Sequence, residues 1–143
     1  MGGGGLLAGI SLGLAGTDVR VIGVESEASP SMSAAISAGT IVPITVEPTL
    51  ADGLAGNLEA GAITVDIALH NKVEILTVSE ADIRSAMVYA AHKMGLVLEG
   101  AGAVGVAAVR AGLVVPDEVG RQTVVLLTGR NVAPTLLEEV LHA

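Results

Sequence analysis

The chain has 143 residues, one tyrosine as its sole aromatic residue, no cysteine, and a net charge of −8 from 15 acidic and 7 basic side chains. This length suits a single domain over residues 1–143, and an apolar fraction of 51% excludes a disordered chain. The acidic balance argues against a nucleic-acid partner, the lack of cysteine suits the cytoplasm, and no charge-free apolar run is long enough to indicate a membrane span.

Glycines, prolines and β-branched runs divide the first third of the chain into alternating elements. A helix is predicted over Leu6–Ala15, and the β-branched run that follows predicts a strand over Asp18–Glu25. A second helix is predicted over Pro30–Ala38, with Ser29 as its N-cap residue and the proline at its first position. Gly39 ends this helix.

The middle of the chain repeats this alternation. Residues 40–57 contain two prolines and predict an irregular loop. The apolar segment Ile63–Leu69 fits a helix or a strand by its period, and its flanks favour a helix. A strand is predicted over Val73–Val78, and Ser79 with Asp82 three residues later predicts the start of a helix that ends at a glycine, residue 95.

The last third of the chain completes the pattern. Leu96–Leu98 is predicted to be extended, and the small residues of Ala101–Ala111 predict a helix. Thr123–Leu127 is an uninterrupted apolar run, which predicts a strand that is covered on both faces, and Pro134–His142 predicts a terminal helix. Strands that alternate with helices predict an α/β fold of three layers, with a central parallel sheet and helices on both faces.

The strongest local feature is a run of four glycines, Gly2, Gly3, Gly4 and Gly5, immediately before the first helix. Glycines let backbone N–H groups converge on one point, and a helix N-terminus adds unpaired donors and a partial positive charge. The run therefore predicts a cradle for phosphate or another small anion. An unstructured terminal tail or a remnant of expression explains the same four residues equally well.

Two further segments are candidates for a ligand site. Thr128 and Gly129 follow the predicted strand at its carboxyl end, where α/β sheets bind ligands, although a plain strand-to-helix turn has the same composition. Glu99 is a lone acid among small residues, and it is either a ligand-facing carboxylate or a partly exposed loop residue.

The histidines and lysines give no catalytic signature. His70, His92 and His142 lack any metal-binding spacing, so we expect them at the surface. Lys72 and Lys93 are the chain's lysines, and their polar neighbours predict that both are exposed to solvent.

Six segments occur in an order that is similar to one known family: GGGGLLAGI, VRVIGVESEASPSM, TLADGLAGN, VSEADI, LVLEGAGAVGVAA and VVLLTGRNV. Together they resemble the threonine dehydratase and serine racemase family of fold type II pyridoxal-phosphate enzymes, over nearly the whole chain. The resemblance implies a pyridoxal phosphate whose phosphate is held by Gly2–Gly5. It also implies that Thr128, followed by Gly129, bonds the pyridine nitrogen and that Glu99 lines the cofactor pocket.

The same resemblance implies a divalent-cation site. Family members often carry a cation site in this segment, and Glu25 matches it, with Ser29 and Ser31 nearby, although an acid found there in some members is absent. The chain also departs from the family pattern in two ways. Arg130 stands where the family has a second glycine. Family members are about twice as long, and their Schiff-base lysine lies before the tetraglycine loop. The chain therefore resembles a truncated C-terminal half that lacks this lysine.

These observations leave three hypotheses open. The first is a dehydratase-like half that binds phosphate or pyridoxal phosphate and is inactive alone, or active with a complementing N-terminal half. The second is a small hydrolase of esters or phosphoesters that uses the glycine cradle with Thr128, Arg130, Glu99 and His92. The third is a non-catalytic oligomerising module, because a mean hydropathy of +0.70 predicts an apolar surface that self-associates, as a homodimer.

Overall fold

The computed structural model describes residues 1–115 and 122–142. Its two strands, β1 (Ile22–Ser26) and β2 (Glu74–Val78), pair in parallel with Ile22 opposite Glu74. The six α-helices of the described residues are α1 (Gly5–Gly13), α2 (Ser31–Ala38), α3 (Ile63–His70), α4 (Glu80–Tyr89), α5 (Gly100–Arg110) and α6 (Pro134–His142).

The helices form a layer on each face of the sheet. On one face, α1, α2 and α3 enclose an apolar cluster around Met32 and Val65. On the other face, α4, α5 and α6 enclose a second cluster that includes Ile83, Ala107 and Val140. The predicted α/β fold with helices on both faces is confirmed, with aliphatic side chains forming both cores.

Helix α4 begins where the sequence predicts. The Ser79 hydroxyl accepts a hydrogen bond from the Asp82 N–H at 3.2 Å, while the Asp82 carboxylate accepts one from the Ser79 N–H at 3.2 Å. This reciprocal capping box satisfies amide groups that a helix start leaves unpaired. After α4 the chain continues as a π-helical turn over Ala90–Met94 and ends at Gly95, whose φ is +66°.

Helices α4 and α5 approach closely because their facing residues are small. Ala86, Ala103 and Ala107 are fully buried between them. At the edge of this contact the Arg110 guanidinium lies 4.2 Å from the centre of the Tyr89 ring, a cation–π distance. Aliphatic contacts therefore join the two helices, and one cation–π contact lies at the edge of their interface.

The start of α2 differs from the sequence prediction. The N-cap residue is Pro30 rather than Ser29, and neither side chain caps the helix. Instead, the Glu25 carboxylate accepts hydrogen bonds from the N–H groups of Met32 and Ser33. A tertiary contact from β1 thus replaces the local cap that the sequence suggests.

The remaining middle elements agree with prediction apart from one boundary. The predicted helix at Ile63–Leu69 and the predicted strand at Val73–Val78 are confirmed as α3 and β2. The strand predicted from Asp18 begins only at Ile22, because that is the first residue with a partner on β2. In the described parts of the chain, no helix is long and apolar enough to cross a membrane.

The predicted strand at Thr123–Leu127 is wrong as a hydrogen-bonded strand. The segment has no strand partner among the described residues, and Val125 and Leu127 pack against the α4–α5 cluster. Val124 and Leu126, which alternate with them, are 80% and 54% exposed. Only one face of this apolar run is covered by the described residues, so the two-sided burial that its composition predicts is not reached.

Candidate functional site

The four glycines form an open turn at the start of α1. Gly4 is the N-cap residue with φ +80°, and no side chain caps the helix. A Cβ on Gly4 would lie 2.7 Å from Met32 Cε, whereas a Cβ on Gly3 or Gly5 would meet no atom within 4 Å. The turn is therefore packed on one side and open on the other, where the first amide groups of α1 remain available to an anion.

The turn is anchored to α3 and to a neighbouring loop. Thr64 on α3 donates its hydroxyl proton to the Gly3 carbonyl at 2.8 Å. A Cβ on Gly2 would lie 3.5 Å from the Gly53 carbonyl oxygen, in a 3₁₀ turn over Asp52–Leu54. A Cβ on Gly53 would in turn lie 3.8 Å from a Glu99 carboxylate oxygen. The glycine turn, the 3₁₀ turn and the start of α5 are thus neighbours.

Glu99 lies at the N-cap position of α5 and holds the 129–131 turn. Its carboxylate Oε2 accepts a hydrogen bond from the Asn131 N–H at 2.8 Å, and its own N–H donates to the Gly129 carbonyl at 3.2 Å. A Cβ on Gly129 would overlap the Glu99 carboxylate, so a larger residue there would have to displace that side chain. Arg130, the departure from the family pattern, is exposed.

Thr128 lines a large apolar groove that runs past the glycine turn. The groove has a volume of about 1170 Å³ and lies between α1 and residues 18–24 on one side and α5 and residues 122–128 on the other. Met1 and Gly102 line it together with Thr128. Met1, which precedes the glycine run, and Thr128 therefore line the same cavity.

The Met1 amino group is also part of this region. It donates to the Val24 carbonyl oxygen on β1. Burial lowers the pKa of this amino group to about 6, and the nearby Glu25 carboxylate opposes the shift.

Two of the three residues of the implied cation site, Glu25 and Ser29, have protein partners. Glu25 is fully buried, and its carboxylate also accepts the Ser33 hydroxyl proton at 2.8 Å. The Ser29 hydroxyl accepts from the Gly56 N–H at 3.1 Å, and Ser31 is buried. Among the described residues, no three acidic, histidine or cysteine side chains group to hold a metal ion.

Sequence reasoning missed a second carboxylate that links distant segments, the half-buried side chain of Glu80. Its Oε1 accepts from the Ser26 hydroxyl at 2.9 Å and from the Thr49 hydroxyl, and its Oε2 accepts from the Leu50 N–H at 2.7 Å. These bonds tie the end of β1 and the loop before the 3₁₀ turn to the start of α4. The local sequence shows only an acid in the first turn of a helix, so nothing there indicates these distant partners.

The remaining basic candidates lie elsewhere. Lys72 and Lys93 are exposed, and neither is among the described residues that line the groove. His70, His92 and His142 are exposed, as predicted. Of the predicted site residues, Thr128 lines the groove, whereas Gly2–Gly5, Glu99 and Gly129 are not among its described lining residues, and no lysine of the described residues is either.

A family model matches most of the chain. The model of the family described as pyridoxal-phosphate dependent enzyme matches residues 1–129.

The chain belongs to the pyridoxal-phosphate-dependent enzyme family.

This pyridoxal-phosphate-family chain is 34% identical over 144 residues to an L-threonine ammonia-lyase of Thermotoga maritima, covering 99% of this chain and 35% of that protein. It is 36% identical over 134 residues to the catabolic L-threonine dehydratase of Escherichia coli K12, covering 92% of this chain and 40% of that protein.

Solved structures of the family show the same fold. An L-serine ammonia-lyase from Rhizomucor miehei matches with a TM-score of 0.87 and 27% identity, over 98% of this chain and 47% of that chain. The processed form of threonine deaminase isoform 2 from Solanum lycopersicum matches with a TM-score of 0.82 and 25% identity, over 99% of this chain and 42% of that chain. The chain is thus a threonine-dehydratase-like domain that spans less than half the length of these relatives.

Proposed function

We propose that this chain is the phosphate-holding part of a threonine-dehydratase-like lyase and binds pyridoxal phosphate at the glycine turn. The observation that carries the proposal is the uncapped start of α1, whose amide groups face open space beside Gly3 and Gly5. A phosphate dianion is the ligand that such a helix start favours, because it meets several N–H donors and the positive end of the helix dipole.

The residues around the turn fit such a group. Gly4 holds the turn in the left-handed region, and its packing against Met32 and Thr64 fixes the direction of the amide groups. Because no side chain projects from Gly3 or Gly5, the phosphate has room to approach the backbone. The cradle is therefore preformed, and binding does not require the loop to be ordered first.

The pyridine ring would face the start of α5 and the 128–131 turn. There Thr128 supplies a hydroxyl that can donate to or accept from a ring nitrogen. Glu99 keeps that turn in place through the Asn131 N–H and the Gly129 carbonyl. When bound, pyridoxal phosphate supplies an electron sink for reactions of amino acids.

We also propose that this chain alone does not eliminate water from threonine or serine. In the family that it resembles, the covalent lysine comes from a part of the chain before the tetraglycine loop. Lys72 and Lys93 are exposed, and neither is among the described lining residues of the groove. Turnover would therefore need the remaining part of a dehydratase-like polypeptide.

No observation favours the hydrolase hypothesis. His92 is exposed on the π-helical turn after α4, and the residues that the structure describes around the groove do not include it or Arg130.

The proposal is tested by calorimetric titration with pyridoxine 5′-phosphate, which lacks the aldehyde and so cannot react with surface lysines. Gly5→Ala adds a methyl group at the open side of the turn, where the phosphate would lie, and we expect affinity to fall at least tenfold. Gly9→Ala is the matched control, because Gly9 is also in α1 and a Cβ there also meets no atom within 4 Å.

Both substitutions should raise helix stability slightly, since alanine is a better helix former than glycine by ~1 kcal/mol. A loss of binding in Gly5→Ala therefore cannot be attributed to unfolding. Absence of binding by the wild-type chain at millimolar ligand would refute the proposal, as would equal affinity of Gly5→Ala and Gly9→Ala.

A further inference from the structure

The first residue of α4 holds three consecutive residues of a distant loop. The Glu80 carboxylate accepts hydrogen bonds from the Leu50 N–H at 2.7 Å, from the Thr49 hydroxyl, and from the Ser26 hydroxyl at 2.9 Å. The Thr49 hydroxyl in turn accepts from the Ala51 N–H at 3.0 Å. One half-buried side chain therefore fixes the loop that leads into the 3₁₀ turn.

This loop, residues 49–54, also lies directly on the start of α5. A Cβ on Gly100, the first residue of α5, would overlap the Leu50 carbonyl group. A Cβ on Gly53 would lie 3.2 Å from the Ala101 Cβ. The 49–54 loop is thus held between the first residue of α4 and the first turn of α5.

The end of the 49–54 loop reaches the glycine turn. Its 3₁₀ turn is closed by the Leu54 N–H, which donates to the Ala51 carbonyl at 2.8 Å. A Cβ on Gly2 would lie 3.6 Å from the Leu54 Cα, so the first of the four glycines lies beside this turn. A displacement of the loop at Leu50 would therefore be carried over four residues to the wall beside Gly2.

We infer that Glu80 is a positioning residue of the phosphate cradle. Its carboxylate sets where the 49–54 loop lies and, through the loop, sets the wall beside Gly2. Glu80 is not among the described residues that line the groove, so it acts through the loop and not by contact with a ligand there. A carboxylate suits this position, because hydrogen bonds to a charged acceptor are about twice as strong as neutral ones. A negative charge is also favourable in the first turn of a helix.

One consequence of this inference, an effect of Glu80 on ligand affinity, rests on the proposed function. The position of the 49–54 loop does not, because it can be measured in the chain without any ligand. The two can therefore fail separately, and the test has one part for each.

Hydrogen exchange measures how firmly the loop is held. Glu80→Ala removes the acceptor of the Leu50 N–H, and we expect the amides of Leu50 and Leu54 to exchange at least tenfold faster than in the wild type. Each rate is divided by that of the Ala107 amide in buried α5, so that a general loss of stability does not imitate release of the loop. The Gly3 amide resonance should also move in this variant, because the wall beside the glycine turn has shifted.

Ser79→Ala is the matched control. The Ser79 side chain bonds Asp82 within the capping box, so this variant weakens the start of α4 and leaves the contacts of the loop in place. We expect its relative exchange rates at Leu50 and Leu54 to stay within threefold of the wild type. Its Gly3 amide resonance should stay unchanged.

Glu80→Gln tests for rescue by a conservative variant. The amide oxygen of glutamine can accept from the Leu50 N–H while its NH₂ donates to a hydroxyl oxygen, so the loop keeps its acceptor. We expect relative exchange rates within threefold of the wild type. Equally fast exchange in Glu80→Ala and Glu80→Gln would show that the loop does not depend on this acceptor, and it would overturn the inference.

Calorimetric titration with pyridoxine 5′-phosphate measures the consequence for the cradle. We expect the Kd to rise at least tenfold in Glu80→Ala and less than threefold in Ser79→Ala and Glu80→Gln. Absence of binding by the wild type would refute the proposed function, and the exchange rates and the Gly3 resonance would then decide the inference alone. Wild-type affinity in Glu80→Ala, or equal relative exchange in Glu80→Ala and Ser79→Ala, would overturn the inference.

Discussion

The buried carboxylate of Glu25 offers the sharpest test of how this fold is held together. It lies on β1 and accepts three hydrogen bonds at the start of α2, from the N–H groups of Met32 and Ser33 and from the Ser33 hydroxyl. Glu25→Gln keeps the shape of the side chain and removes its charge. One of its two oxygen acceptors becomes an NH₂ donor, which faces a donor across the same contact.

The structure allows the cost to be worked out. The variant loses the bond from the Ser33 N–H, worth ~1.5–3 kcal/mol because the acceptor is charged. The Ser33 hydroxyl can rotate and accept from the new NH₂, so that bond is kept in weaker form. Loss of a negative charge at a helix start costs a further ~0.3–1 kcal/mol. Burying a neutral amide carries a smaller desolvation cost than burying a charge, which offsets part of this loss of stability. We expect a net loss of about 2–3 kcal/mol in the free energy of unfolding.

Urea unfolding followed by circular dichroism measures this loss, since the chain has a single tyrosine and no tryptophan. Glu27→Gln is the matched control, because Glu27 lies two residues further along the chain and is exposed. Its expected effect is within about 0.5 kcal/mol. The capping argument is refuted if the two variants unfold at the same urea concentration.

A further experiment distinguishes two roles for Glu25: capping of α2, and the cation binding that the family resemblance implies. If the carboxylate serves α2 alone, millimolar Mg²⁺, Mn²⁺ or Ca²⁺ leaves the melting temperature of the wild type unchanged. A cation that binds only the folded chain would raise that temperature. A rise in wild type that disappears in Glu25→Gln would support the cation site.

Two other substitutions test the site and the start of α4 in the same unfolding assay. Gly129→Ala places a methyl group where the Glu99 carboxylate lies, so that the carboxylate must leave the Asn131 N–H, and the loss of this hydrogen bond should cost about 2 kcal/mol. Gly13→Ala, where a Cβ meets no atom within 4 Å, should be neutral or stabilising. Equal stability of the two variants would contradict the close approach. Ser79→Ala removes the hydroxyl that accepts from the Asp82 N–H and should cost about 1 kcal/mol in the free energy of unfolding. Ser79→Thr should restore most of that stability. No loss in the alanine variant would show that the capping box contributes nothing.

Local signals in the sequence were sufficient for the elements that local interactions determine. The pair Ser79 and Asp82 marks the start of α4, because both halves of a capping box lie within four residues. The β-branched and apolar runs mark β1 and β2, since such residues favour strands. The glycine run likewise predicts an open turn before α1, because the backbone freedom of glycine is a local property.

Tertiary contacts decide the features that the sequence missed. Ser29 has the chemistry of an N-cap residue, but its hydroxyl bonds Gly56, and Glu25 from β1 takes its place at α2. The run at residues 123–127 has the composition of a two-sided strand, and the described residues cover only one side. No local pattern indicates where a distant carboxylate or a neighbouring strand will lie.

The lone aromatic ring has an optical consequence. Tyr89 lies at the edge of the α4–α5 interface, in contact with the Arg110 guanidinium. The residues that line the groove are mostly aliphatic or small, and Tyr89 is not among them. Tyrosine emission from this chain therefore originates at one known point on the surface, away from the residues that line the cavity. A change in that emission when a ligand enters the groove would report a displacement carried through α5 to the Tyr89–Arg110 contact, and constant emission would show that this contact is unchanged.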